Sequence, residues 1–252
     1  MSAKAKRLNQ ILEILAQEGE AEVKDLSEQL GVSPVTIRKD LNELEEKTLI
    51  QREHGIARLR SRDNVAGRIA YHYDTKRKLA KRAATLVHDG ETVMIESGSC
   101  CALLAEELAQ TKHDVTIVTN SAFIADFIRH YNNINIVCLG GIYEKDAQVM
   151  TGPLVSQCAQ NYFVHSFFIG TDGYSERTGF TNNNQLRAQA VRDMAKQCDR
   201  LIILTESEKF HQHGSVPLNV SSRPTTVITD SRIESDTAHT LKAHGCDLIT
   251  VE

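Results

Sequence analysis

The stretch MIESGSCCALLAEEL, residues 94–108, combines the parts of one folding unit. An apolar run ends at Glu96, a loop of small residues follows, and a helical pattern begins near Cys100. A helix that starts after such a loop presents backbone N–H groups to an anion, glycine permits close approach, and serine hydroxyls add donors. The stretch therefore predicts an anion site, with a purely structural turn as the alternative. The candidate residues are Ser97, Gly98, Ser99 and Cys100.

The same alternation of strand and helix patterns continues from residue 74 onward. Helical patterns such as 100–110 and 121–131 separate apolar runs, which is typical of parallel strands joined by crossover helices. The predicted fold class is α/β, with a mostly parallel sheet over residues 74–252. The predicted strands are residues 92–95, 115–118, 134–139, 165–169, 201–204, 225–228 and 247–251.

Polar or glycine-rich loops follow several of these strands. Thr119 and Asn120 end one strand, Gly140 and Gly141 follow the next, and Asp172 lies in a GTDG turn after another. Because the carboxyl ends of parallel strands share one edge of a sheet, these loops are expected to gather around one pocket. Together they predict a binding site for a polar small molecule, although each loop alone is also consistent with a tight turn.

The first sixty residues show the pattern of three short helices and a hairpin. Ser33 and Pro34 open the third helix as N-cap and first-turn proline. The hairpin turns at His54–Gly55, and the polar stretch 61–73 reads as a linker. Residues 1–60 are therefore predicted to form a winged helix-turn-helix DNA-binding domain.

The third helix has the charge polarity of a recognition helix. Ile37, Leu41 and Leu44 share one face, basic and small residues occupy the exposed first turns, and acids come later. A recognition helix enters the major groove by its N-terminal end, so this polarity suits DNA. The predicted DNA-binding residues are Ser33, Val35, Thr36, Arg38 and Lys39, with Arg52, His54 and Arg58 in the wing.

Charge limits these interpretations. The 252 residues include 29 Lys+Arg and 33 Asp+Glu, a net charge of −4, which argues against a protein that binds polyanions over its whole surface. A basic surface on one domain is compatible with this balance, and so is a helical bundle with ordinary surface charges. Asp40 is predicted to form an ion pair or hydrogen bond within its domain, because a carboxylate facing DNA would repel phosphate; the alternative is that it orients the Arg38 guanidinium toward DNA.

The lack of a recognisable targeting signal and the pattern of cysteines predict a cytoplasmic protein without a membrane partner. The N-terminus lacks a signal-peptide core, and no stretch approaches the about 20 apolar residues of a membrane helix. The six cysteines include no C-x-x-C pair, which predicts reduced thiols, no metal site and no cofactor. A redox role of the adjacent Cys100 and Cys101 is the minority alternative.

The region around the third helix resembles the helix-turn-helix signature of the DeoR family of bacterial transcriptional regulators. The family pattern T-[IV]-R-[RK]-D-L matches residues 36–41, and Leu44, His54 and Gly55 follow in order. Ile56 stands where the second glycine of the family's wing usually lies, a departure that concerns the turn of the wing. The resemblance implies a DNA-binding regulator.

Residues 74–251 resemble the DeoR sensor domain, which is itself similar to ribose-5-phosphate isomerase-type enzymes. The resemblance implies that the loop at 97–100 holds the phosphate of a sugar effector, that Asp172 binds its hydroxyls, and that Lys209 binds the phosphate or an oxygen. The matching segments are residues 96–100 for D-x-G-[ST]-T, 119–120 for T-N, 140–141 for G-G, 170–173 for G-x-D-G and 206–210 for D-[SH]-[ST]-K-F.

Four positions depart from the family's pocket. Glu96 and Glu206 replace aspartates, Cys100 replaces a threonine, and Gln185 stands where a glutamate often follows Asn184. The loss of the threonine hydroxyl removes a good hydrogen-bond donor from the loop. These changes imply an effector unlike the commonest ones.

The predicted function is a repressor-type regulator of a carbohydrate-related operon, controlled by a phosphorylated sugar or similar metabolite. Its partners would be a double-stranded DNA operator and further copies of itself, as a homodimer or homotetramer, because one recognition helix reads one half-site. Two alternatives stay open. One is an isomerase-like enzyme that uses Asp172, Glu206 and Lys209, and the other is a thiol-responsive regulator acting through Cys100 and Cys101.

Overall fold

The computed structural model describes residues 3–46, 49–53, 55–59, 65–220 and 224–252. The chain divides into two compact units, residues 1–74 and 75–252. None of the helices in these described ranges is long and apolar enough to cross a membrane.

The first unit is a helix-turn-helix domain with a small antiparallel sheet, in the strand order β1-β3-β2. The face of α3 predicted to be apolar is confirmed, because Ile37, Leu41 and Leu44 are buried. Gly31 ends α2 with φ of 64°, a left-handed conformation that favours glycine. The elements of this unit are α1 (Ala3–Glu18), β1 (Glu20–Glu22), α2 (Val23–Leu30), α3 (Pro34–Glu46), β2 (Ile50–Glu53), β3 (Ile56–Leu59) and α4 (Val65–Ala70).

Part of the stretch 61–73, which the sequence predicts to be a linker, is helical where the structure describes it. Residues 65–70 form α4, which packs against α1 and fully buries Val65 and Ile69. This helix has only one narrow apolar face in an otherwise polar stretch, so its periodicity is weak. A further helix, α5 (Tyr73–Ala84), then runs across the boundary into the second unit.

The second unit is built on a seven-stranded sheet in the order β15-β14-β12-β9-β4-β5-β6, in which every pair is parallel. All seven predicted strands belong to it, and the predicted α/β fold class is confirmed. These strands are β4 (Thr92–Ile95), β5 (Val115–Thr119), β6 (Ile134–Cys138), β9 (Val164–Ile169), β12 (Cys198–Leu204), β14 (Thr225–Asp230) and β15 (Asp247–Val251).

Helices and two small antiparallel sheets surround this sheet. The helices are α6 (Ser99–Thr111), α7 (Ala122–Ile128), α8 (Pro153–Ala159), α9 (Gln185–Ala195), α10 (Ser235–Ala243) and a 3₁₀ turn (Ser207–His211). A hairpin pairs β7 (Ile142–Glu144) with β8 (Val149–Thr151). The second small sheet joins β10 (Gly173–Ser175), β11 (Gly179–Asn182) and β13 (Val216–Pro217).

The strand order creates a topological switch point between β4 and β9. From β4 the chain adds β5 and β6 on one side, and it then returns to place β9 on the other side of β4. In open α/β sheets, ligands bind outside the carboxyl ends of the strands at such a point. The loop that begins at Glu96 follows β4 and the loop that begins at Gly170 follows β9, so both loops lie at the switch.

Candidate DNA interface and effector site

The first turns of α3 expose most of the side chains predicted to contact DNA. Ser33, Val35, Arg38 and Lys39 are exposed, and Thr36 is half-buried. The Thr36 backbone N–H donates to the Ser33 hydroxyl oxygen at 3.2 Å, so Ser33 caps the helix as predicted. Arg38 and Lys39 form no ion pair with any other described residue. Their charges are therefore available to phosphates or guanine edges.

The arginines of the wing are engaged within the unit. The Arg52 guanidinium donates to the Asn42 side chain on α3, and Arg58 forms an exposed ion pair with Glu20 on β1. The exposed ion pair of Arg58 stabilises the fold little, so a DNA phosphate can replace Glu20 at small cost. His54 lies outside the described residues. The DNA contacts of the wing stay a prediction.

Asp40 anchors α3 to α1. Its buried carboxylate accepts hydrogen bonds from Arg7, one of them from Nη2 at 3.1 Å. These bonds, with the Asp40 charge, raise the pKa of Arg7 despite partial desolvation. A bidentate pair of this kind also fixes geometry. The prediction that Asp40 forms an ion pair within its domain is confirmed.

Glu96 joins the two loops of the switch point. Its Oε2 accepts from the Gly170 backbone N–H at 3.3 Å, and its Oε1 accepts from the Ser97 hydroxyl at 2.8 Å. Gly98 passes so close to Gly170 that a Cβ on Gly98 would lie 3.4 Å from the Gly170 Cα and 3.3 Å from the Glu96 carboxylate. Any side chain at residue 98 would therefore crowd the predicted anion loop.

A buried ion pair lies beside this loop. Lys76 on α5 places its Nζ 3.0 Å from Oε1 of Glu206, and each residue is only 3% exposed. Burial acts to raise the pKa of the Glu206 carboxyl, but the Lys76 ammonium, a backbone hydrogen bond and the Lys209 charge together outweigh this effect, and the pKa lies below its usual value. The Cys100 thiol also donates to Glu206, at 3.5 Å. The pair thus connects α5, the start of α6 and the loop after β12.

The two adjacent cysteines are both buried at the start of α6. Burial, reinforced by the Glu206 charge, raises the pKa of the Cys100 thiol well above its usual value. The Cys101 thiol lies 3.7 Å from the Phe168 carbonyl oxygen, to which it donates. Because the thiolate is the reactive form, this environment favours packing over redox chemistry.

The loops after β5 and β6 are tightly packed. The Asn120 amide donates to the Met150 carbonyl oxygen at 3.0 Å, whereas its buried Oδ1 has no hydrogen-bond partner among the described residues. Thr119 accepts the Leu139 backbone N–H at 2.8 Å, and a Cβ on Gly141 would lie 2.7 Å from a carbonyl oxygen of β8. A Cβ on Gly140 would likewise lie 3.3 Å from the side chain of Leu154 on α8. Of these loops, only Asn120 offers a buried unused acceptor.

Asp172 and Lys209 each hold a neighbouring segment. The Asp172 carboxylate accepts from the Asn183 backbone N–H at 2.9 Å and so supports the loop before α9. The Lys209 ammonium donates to the Gln212 side chain at 2.9 Å. Both residues follow strands of the main sheet at its carboxyl edge, and their contacts with an effector stay predictions.

Sequence reasoning did not single out Lys76 or Asp230. Asp230 ends β14 and accepts from the Ser207 backbone N–H at 2.8 Å and the Ser207 hydroxyl at 2.9 Å. Burial acts to raise its pKa, but hydrogen bonds from Arg232 and Ser207 outweigh this and lower it. Asp230 could have been found as one more polar residue at a strand end. Lys76 could not, since α5 contains five basic residues at unremarkable positions.

Two family models match the chain in the order of its two units. The DeoR-like helix-turn-helix domain matches residues 7–63, and the DeoR C-terminal sensor domain matches residues 71–231. The chain belongs to the DeoR family. It is therefore a DNA-binding transcriptional regulator with a sensor domain, as the resemblance implied.

Named DeoR-family relatives align over nearly the whole chain. The chain is 29% identical over 253 residues to the putative aga operon transcriptional repressor of Escherichia coli O157:H7, which covers 98% of this chain and 94% of the relative. It is 29% identical over 231 residues to the transcriptional regulator GolR of Listeria innocua, covering 90% and 91%. Both alignments span the DNA-binding and the sensor parts.

Among solved structures, part of the chain is similar to ribose-5-phosphate isomerase A from Methanocaldococcus jannaschii. The identity is 21%, the coverage is 55% of this chain and 54% of that chain, and the TM-score is 0.41. A similarity this partial carries no conclusion about activity. The relatives named as transcriptional regulators instead weigh against the enzyme alternative.

Proposed function

We propose that this DeoR-family regulator represses a carbohydrate-related operon and that a phosphorylated sugar or similar metabolite controls its binding to DNA. In this proposal residues 1–60 bind a double-stranded operator in the cytoplasm and residues 74–252 bind the effector. The observation that carries the proposal is the close approach of Gly98 to Gly170 at the switch point, directly before the first turn of α6. One relative is itself named as a transcriptional repressor.

The candidate pocket offers groups for both parts of a sugar phosphate. The N–H groups at the start of α6 and the Ser99 hydroxyl suit the phosphate, while the Ser97 hydroxyl donates to Glu96 in the same loop. The buried Oδ1 of Asn120 is an unused acceptor for a sugar hydroxyl, and such groups in native proteins call for a partner. Lys76 offsets the charge of Glu206, which would otherwise repel a phosphate.

The ion pair also suggests how the effector controls DNA binding. Helix α5 starts at Tyr73, within the first unit, and carries Lys76 to the pair with Glu206 beside the effector loop. A ligand that changes the position of Glu206 changes the preferred position of α5. Such a ligand shifts the population of DNA-competent molecules by its difference in affinity for the two arrangements.

Fluorescence anisotropy of labelled DNA from upstream of the protein's own gene tests this function. The purified full chain is titrated alone and then with a panel of sugars, their phosphates and inorganic phosphate. We expect specific binding, measured against a scrambled duplex at the same salt concentration, and weakening by one phosphorylated sugar. Equal affinity for both duplexes would contradict the regulator proposal, and specific binding that no phosphorylated compound alters would contradict the effector class.

A further inference from the structure

A cavity of about 610 Å³ lies within the second unit, away from the switch point. Thr225, the first residue of β14, and Cys246, which directly precedes β15, both line it. The cavity therefore adjoins the amino ends of these two strands, whereas the predicted effector loops follow the carboxyl ends of strands. None of the described residues that line the cavity belongs to those loops. Its volume is in the range of small-molecule sites, about 300–1,000 Å³.

The buried residues that line the cavity form an apolar floor. They include Phe180, Ile203, Val220 and Leu241. The buried ring of Tyr174 is tilted against that of Phe180, with 5.0 Å between the two ring centroids. A floor of this composition excludes a charged group, because burying a charge without a partner is costly, and it suits an aromatic ring.

One hydroxyl group lies at this floor. Ring contacts with Phe180 and Phe210 hold Tyr174, and its hydroxyl forms no hydrogen bond with any other described residue. Burial raises the pKa of this hydroxyl, and the charges of Cys246 and Glu176, which both line the cavity, raise it further. The hydroxyl is therefore protonated at neutral pH, beside the cavity, and can donate to an oxygen of a ligand.

A guanidinium lies at the mouth of the cavity. Arg177 lines the cavity at the exposed turn between β10 and β11, and it forms no ion pair with any other described residue. Its planar fork of N–H donors fits a carboxylate with two hydrogen bonds. Glu176 is exposed beside it, and its Oε1 accepts from the Thr240 hydroxyl at 3.4 Å. Because Glu176 repels a dianion such as phosphate more strongly than a monoanion, one negative charge is favoured here.

We propose that this cavity is a second ligand site and that it binds a small aromatic carboxylic acid with an oxygen substituent on its ring. The ring lies on the apolar floor, the Tyr174 hydroxyl donates to the ring oxygen, and the carboxylate accepts from Arg177 at the mouth. The site takes no residue from the effector loops, so its binding of an acid is independent of the proposed function.

Isothermal titration calorimetry of the full chain tests the site, with 4-hydroxyphenylacetate as the probe. Phenylacetate lacks the ring hydroxyl of the probe, and 4-hydroxyphenylacetamide lacks its charge. We expect the probe to bind more tightly than either analogue by about tenfold, which corresponds to roughly 1.4 kcal/mol. If the chain binds none of the three compounds, or binds all three equally, the proposal is overturned.

Two variants assign each preference to one side chain. Tyr174→Phe keeps the ring and should abolish the preference for the probe over phenylacetate, whereas Arg177→Gln should abolish the preference for the probe over the amide. Tyr143→Phe and Lys145→Gln are the matched controls, because both residues are exposed and lie outside the cavity, in and directly after β7. Circular dichroism verifies that each variant folds.

The outcomes separate this site from the proposed function. If either preference persists in its own variant, or if a control variant loses it as well, the site is overturned even when a phosphorylated sugar alters operator binding. If each preference disappears in its own variant alone, the site is supported even when no phosphorylated compound alters operator binding.

Discussion

Within one turn of α3, neighbouring residues have opposite environments. Arg38 and Lys39 are exposed, whereas Asp40 is buried against Arg7. The helix period separates them, because residue 40 turns toward α1 while residues 38 and 39 face outward. This arrangement explains how an acid sits beside two basic residues without repelling DNA phosphates.

Replacing Arg38 by Ala tests the role of its guanidinium. If it reads a base, specific operator binding weakens by about 1–3 kcal/mol and discrimination at that base pair falls. Anisotropy titrations on operator and mutated operators measure this loss. Lys242→Ala, at an exposed site on α10, serves as the control for lost positive charge. An equal loss on every DNA sequence would instead make Arg38 a phosphate contact.

Replacing Lys76 by Met leaves the Glu206 carboxylate buried without its partner. We expect the free energy of unfolding to fall by about 3–5 kcal/mol, as for other broken buried pairs. In the double variant Lys76→Met/Glu206→Leu the uncompensated charge is gone, so most of that loss should be recovered. Urea denaturation of both variants measures the difference. Equal destabilisation in the single and double variants would argue against a functioning ion pair.

At the scale of elements, burial decides which ones the sequence could predict. The central strands of the main sheet are buried along most of their length and leave apolar runs such as LIIL at 201–204, whereas the edge strands β6 and β15 are only partly buried. The hairpin β7–β8 and the small sheet around β11 have strands of two to four residues with mixed exposure, and they leave no such run. Helix α4 was not predicted for the same reason, since its six residues also leave no continuous apolar run.

The candidate site was likewise only partly predictable from the sequence. Its loops could be predicted because each follows a strand whose carboxyl end lies at one edge of the sheet. The partner of Glu206 could not be predicted, since Lys76 reaches it from 130 positions away in the chain, as the difference of 206 and 76 shows. Packing and not spacing selects that lysine among the five basic residues of α5.

Helix α6 should protect both of its cysteines from alkylation. Cys100 and Cys101 are buried, and the pKa of the Cys100 thiol is raised by burial and then by the Glu206 charge, whereas Cys138 is exposed. We expect iodoacetamide to label Cys138 quickly and Cys100 and Cys101 only after denaturation, as peptide mass spectrometry would show. If oxidant altered operator binding in the parent but not in Cys100→Ser/Cys101→Ser, the thiol-responsive alternative would return.

At the scale of the whole molecule, the buried carboxylates make stability depend on pH. The pKa values of Glu206 and Asp230 are below their usual values despite burial, because of Lys76 for the first and Arg232 and Ser207 for the second. Their unfolded-state values are about 4.3 and about 3.9. A carboxyl group whose pKa is lower in the folded state than in the unfolded state adds its full stabilisation at pH values above the unfolded-state pKa. This contribution to the free energy of unfolding disappears as the pH falls through the folded-state pKa.

We therefore expect these two carboxyl groups to leave the free energy of unfolding nearly constant between neutral pH and about pH 5. At lower pH the free energy of unfolding should decrease. Urea denaturation at a series of pH values measures the profile. The double variant Lys76→Met/Glu206→Leu lacks one of the two carboxylates and should fall less steeply. A parent profile that rises as pH falls below about 4 would contradict the assignment.

The central claim is that a ligand at the switch point controls DNA binding by the other unit. Gly98→Val tests it most directly, because the new side chain would crowd Glu96 and Gly170 while φ of −70° accommodates a β-branched residue. Operator affinity is measured by anisotropy for parent and variant, with and without the phosphorylated sugar that the panel identifies. We predict equal affinity without effector and a response in the parent alone. An undiminished response in Gly98→Val would contradict the account.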